Sequence, residues 1–95
     1  MNKLNLNALE NLIREIKKKA EDPLLASLYK DGILDELLSD SIYIHSTLEE
    51  NPHYLLHPLA KRDLQEHFNH MKAIVENDPF NPFFHLIGGI EEILK

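Results

Sequence analysis

Cysteine is absent from this chain. Disulfides, thiolate metal sites and cysteine nucleophiles are therefore excluded together, and no oxidising compartment is needed. Glycine is scarce, with three residues. Neither a phosphate-cradling loop, a dinucleotide fingerprint nor a nucleophile elbow can be written from them. No apolar run approaches the roughly 18–20 residues of a membrane span. The opening Met-Asn-Lys-Leu-Asn-Leu-Asn lacks the apolar stretch of a signal peptide. The expectation is a cytoplasmic protein with no membrane role. Basic residues are the minority, 10 against 16 acids for a net charge of −6. That balance argues against a nucleic-acid partner, whose binding rests on neutralising phosphates. The basic run Lys17-Lys18-Lys19 is read as the positive complement to the carboxyl end of the first helix.

Strand alternation, internal repeats and low-complexity tracts are also missing. What remains is helical periodicity. The chain of 95 residues, 43% apolar and 27% charged, reads as one ordinary globular domain over 1–95. It is expected to be all-α, a compact and mostly antiparallel bundle of four to five helices.

The stretch from Ile33 to Leu48 is the expected centre. Stepping about 100° per residue places Ile33, Leu34, Leu37, Leu38, Ile44 and Leu48 on one face, with Ile42 at its margin. Asp35, Glu36, Ser39, Asp40, Ser46, Thr47 and Glu50 fall opposite. Ser41 and His45 interrupt the apolar arc. Ser41 is expected to donate back to the Leu37 carbonyl, and His45 to be a satisfied core imidazole. Around this helix, residues 5–20 repeat apolar positions at Leu6, Leu9, Ile13, Ile16 and Ala20, with Leu12 beside the seam. Residues 58–76 offer Ala60, Leu64, Phe68, Met71, Ile74 and Val75. Residues 82–94 offer Phe83, Leu86, Ile87, Ile90, Ile93 and Leu94, crossed by Gly88-Gly89.

Helix entries are legible from proline. Asp22-Pro23, Asn51-Pro52, Asp78-Pro79 and Asn81-Pro82 each set a capping side chain before a residue that gives up no helical bond at the first position. A short helix is expected from Pro23 to about Lys30, followed by an Asp31-Gly32 turn. Residues 51–57 suit a single turn opened by Pro52.

Six histidines are the compositional oddity. Asp63, His67 and His70 occupy neighbouring azimuths of one helix, and His45 could approach from the central helix. Imidazole and carboxylate are suitable ligands for a divalent metal. Asp63 and His70, about 10.5 Å apart along the axis, cannot easily grip one ion. The simpler expectation is Asp63 hydrogen-bonded to His67. No cofactor is implied, and no catalytic constellation appears: Ser41 and His45 on adjacent turns of one buried helix leave no substrate cleft or oxyanion hole. The function expected is therefore non-catalytic docking on another protein, as an adaptor, inhibitor, immunity or chaperone-type factor. The docking residues would be Asp35, Glu36, Asp40 and Tyr43 on the central helix and Phe84 on the last, with Ile42 and Leu59 as marginal apolar residues. The same apolar residues could instead form a homodimer interface. The rival reading is a metal- or ligand-binding bundle using His45, Asp63, His67 and His70.

Overall fold

The computed structural model describes residues 6–26, 32–77 and 83–94. Among them are α1 (Asn7–Glu21), α2 (Pro23–Ala26), α3 (Ile33–Glu50), a 3-10 turn (Pro52–Leu56), α4 (Pro58–Glu76) and α5 (Phe84–Ile93), with no strand. Four helices close a ring: α1 packs on α3, α3 on α4, α4 on α5 and α5 back on α1. The 3-10 turn bridges α3 and α4. The protein is a small all-α bundle, as the periodicity requires.

Local chemistry accounts for the element ends. The Leu24 amide donates to Asp22 Oδ1 at 3.0 Å, the proline-entry cap anticipated there. Gly32 enters α3 in the left-handed region at φ 84°, a conformation that strains residues with a side chain. Its carbonyl accepts from the Glu36 amide at 2.9 Å, opening the helix. Asp35 and Glu36 then lie in the first turn, where acids suit the positive end of the helix. Asn51-Pro52 differs from expectation. The Asn51 side chain makes no cap, and its backbone carbonyl takes the Tyr54 amide at 3.0 Å instead. The Asp78-Pro79 and Asn81-Pro82 caps, the expected continuation of the Pro23 helix to about Lys30, and Asp31 of the expected turn lie outside the described residues.

The core is drawn from every helix of the ring. Leu9, Leu12, Ile16, Leu37, Ile44, Leu48, Leu64, Met71, Val75, Phe83 and Ile90 are essentially removed from solvent. Each such side chain contributes roughly 1.5–3 kcal/mol of transfer free energy. One assignment moves: Leu12 is fully buried, whereas Ile13 is half-buried and Ala20 exposed. The cause is that α1 touches both α3 and α5, so its buried arc is wider than a single seam. Ser41 donates to the Leu37 carbonyl as expected, and no buried side-chain polar atom among the described residues lacks a partner. The Gly88-Gly89 pair does not break α5. A Cβ on Gly89 would stand 2.9 Å from the Ala8 Cβ of α1, while one on Gly88 would meet nothing within 4 Å. Gly89 thus lets two backbones approach closely, whereas Gly88 is open to addition.

Candidate functional site

The polar residues singled out above gather mainly on the seam between α3 and α4. Asp40 sits at the edge of α3 that turns toward α4, not on the solvent face: it is only 7% exposed. A lone carboxylate in that position would be strongly unfavourable, so its burial depends on partners. Two histidines from α4, three residues apart, supply them. His67 Nδ1 donates to Asp40 Oδ1 at 2.9 Å, and His70 Nδ1 donates to Asp40 Oδ2. An ionised carboxylate has only acceptors to offer, so both imidazoles carry their proton on Nδ1. The two histidines are on one helix face because residues three apart lie on adjacent turns.

One turn further along, the same seam is completed by Tyr43 and Asp63. The Tyr43 hydroxyl donates to Asp63 Oδ2, and its ring lies 4.2 Å, centroid to centroid, from that of His67 at 35°. The pairings Asp40–His67 and Tyr43–Asp63 step in opposite directions along the two helices, as an antiparallel pair demands. Asp63 therefore does not hold His67 as expected. Its other oxygen stands 4.0 Å from His67 Nε2, beyond hydrogen-bond reach. The donor it actually takes is a phenol from α3, and His67 is taken by Asp40.

The electrostatics follow from these contacts. The Asp63 carboxylate holds the Tyr43 phenol protonated, aided by partial burial, and its pKa is pushed up to about 12. The Asp40 hydrogen bond raises His70 above its ordinary value, against an opposing effect of burial and with a smaller contribution from the Glu36 charge. Outside the paired atoms the seam opens as a shallow depression of about 270 Å³ lined by Asp40, Glu66, His67 and His70. With Nδ1 committed, the remaining ring nitrogen of each histidine is the one left for other contacts.

The four residues of the metal reading are not brought together. Asp63, His67 and His70 belong to the α3–α4 seam, whereas His45 lies on the other side of α3, beside Glu10 of α1. Among the docking residues, Asp35 and Glu36 are exposed and Tyr43 is 36% exposed, but Asp40 is withdrawn into the seam. Phe84 begins α5, and its side chain lies outside the described structure. Ile42 is 41% exposed and Leu59 more so, joined by Leu24 and Leu56. The pairing of Asp40 was missed because a helical wheel shows azimuth but not which neighbour stands there. The His67/His70 spacing was the available signal for a shared acceptor.

Comparison with protein-family models, curated proteins and solved structures finds no match to this chain.

Proposed function

We propose that the protein works by docking, without catalysis, on a basic surface of another protein through the outward strip of α3. The observation that carries this reading is Tyr43. It is an aromatic ring partly open to solvent, yet braced by Asp63 at its hydroxyl and by His67 at its face. A side chain already held in one arrangement loses little freedom on binding, which is what an interface anchor requires. Around it, the strip carries Asp35, Glu36 and Glu50, exposed, with Ile42 as an apolar contact. α3 has no lysine or arginine in its 18 residues, so these acids are not neutralised along their own helix. Charges so arranged favour a basic partner and speed its encounter. A symmetric contact of the strip with a second copy would set acid against acid, which favours a different chain as partner over a homodimer.

Asp40 serves this reading from behind, as a positioning residue for His67 and, through it, Tyr43. A cytoplasmic setting belongs to the same proposal, since the cysteine-free chain needs no oxidising compartment. No described helix is long and apolar enough to cross a membrane.

The experiment is comparative capture. The unmodified protein, the charge-reversed Asp35→Lys/Glu36→Lys variant, Tyr43→Ala and the remote control Glu91→Lys on α5 are each immobilised, with circular dichroism confirming that all are folded. The expected result is a partner retained by the unmodified protein and by Glu91→Lys, released by added salt, and lost from both strip variants. Identical capture by all four proteins would overturn the proposal.

A further inference from the structure

The histidine that the α3–α4 seam leaves out has its own setting. His45 projects from α3 toward α1, and its side chain is 19% exposed. Two glutamates converge on the same ring nitrogen from different helices. Glu10 Oε1 of α1 stands 3.4 Å from His45 Nε2, and Glu49 Oε2, one turn along α3, stands 3.6 Å from it. The Glu10 contact is a hydrogen bond at the long end of the range, 3.4 Å, and the Glu49 contact at 3.6 Å lies beyond it. Nε2 offers at most one N–H to the two carboxylates, so neither is fully served by it. No other ion-pair partner of Glu10 or Glu49 occurs among the described residues. Two carboxylates thus face each other across an imidazole, with no lysine or arginine in ion-pair contact with either among the described residues.

We propose that Glu10, His45 and Glu49 form a binding site for a divalent transition-metal cation, with zinc as its representative. The cluster holds one long hydrogen bond, from His45 to Glu10, and its spacing also suits a ligand shell. Bonds of about 2.0–2.1 Å to nitrogen and oxygen, set tetrahedrally, place neighbouring ligand atoms about 3.3–3.5 Å apart. Here the three ligand atoms lie within 4.8 Å of one another, so small side-chain adjustments of the two partly exposed glutamates close the shell. Imidazole nitrogen with carboxylate oxygens is a donor set for zinc, manganese or iron(II), and sulfur-seeking ions are disfavoured. A fourth position remains for water. The i, i+4 spacing of His45 and Glu49 preorganises two ligands on one helix. Glu10 brings the third from α1, so a bound ion would staple these two helices together.

The test uses the untagged protein stripped of metal with a chelator and then titrated with zinc by calorimetry, with thermal melts alongside. One zinc per chain is expected, with a higher melting temperature at saturation. Glu10→Gln and Glu49→Gln exchange exposed side chains for near-isosteres and should fold normally. Each is expected to weaken zinc by more than the roughly 10–100-fold that loss of a supporting outer hydrogen bond causes. His45→Gln should abolish the site, while His67→Gln and His70→Gln leave it intact. Absence of binding with zinc raised to about 1 mM, the weakest range of specific association, would overturn the proposal. So would binding undiminished in Glu10→Gln, Glu49→Gln and His45→Gln.

Discussion

The two flanks of α3 are built from the same groups and treat them differently. Toward α4, one carboxylate, Asp40, is nearly buried and receives a proton donor on each oxygen. Toward α1, one imidazole, His45, is met by two carboxylates, Glu10 through a long hydrogen bond of 3.4 Å and Glu49 at 3.6 Å. The first flank has enough donors for its acceptors, and the second has too few. A saturated arrangement holds helices in register and resists change. An undersupplied one has room for a further ligand. The lesson is that the ratio of donors to acceptors, more than the residue types, separates structural polar clusters from candidate binding sites.

The largest expected effect breaks the saturated flank. Asp40→Ala leaves two imidazole N–H groups without their acceptor and should destabilise the fold by about 1–3 kcal/mol. In metal-free protein, His45→Gln should cost less than about 1 kcal/mol, since its contacts are long and partly solvated. Urea unfolding midpoints at unchanged slope measure both; equal losses would erase the contrast. Next, Tyr43→Phe removes one donor and should cost about 0.5–1.5 kcal/mol. The phenol ionising near pH 12 should disappear from an ultraviolet titration of the same variant. A third seam, between α1 and α5, tests filled against unfilled space with no charge involved. Gly88→Ala should stabilise by roughly 0.5–1 kcal/mol through helix propensity. Gly89→Ala should forfeit that gain against Ala8, and thermal melts of the pair would show the difference in sign.

The smallest effect is the pH dependence of the Asp40–His70 contact. The folded His70 pKa is raised above 6.5, so the folded state holds this proton more tightly than the unfolded chain. The contribution is fully present below an unfolded pKa of about 6.5 and is lost as pH rises through the raised folded value. With the His70 side chain 52% exposed, solvent screening keeps it below about 1 kcal/mol. The stability gap between the unmodified protein and His70→Gln should therefore be wider near pH 6 than near pH 9. An equal gap at both would remove the charge contribution.

Most of the helix layout was legible because local signals agreed. Proline fixed the start of α4 at Pro58, and 3.6-residue periodicity correctly marked Leu64, Phe68, Met71 and Val75 as its buried face. The choice between Leu12 and Ile13 was not legible, since either fits a helical stripe until the number of neighbours of α1 is known. Asp40 was placed on the wrong side for a related reason. Its azimuth lies at a margin, and only the arrival of His67 and His70 makes burial tolerable. Glu10 carried no signal, being an ordinary surface acid until α1 is laid against α3, and Glu49 showed only its i, i+4 spacing from His45.

The close approach of Gly89 to Ala8 also bears on the order of assembly. α1 precedes the other described helices, yet part of its surface packs against α5, the last helix described. A nascent chain stopped before residue 83 can pair α1 with α3 and α3 with α4, but it leaves the remaining wall of the barrel-like ring open. Closing the ring thus requires a contact between helices far apart along the chain, whose loop-closure entropy works against its early formation.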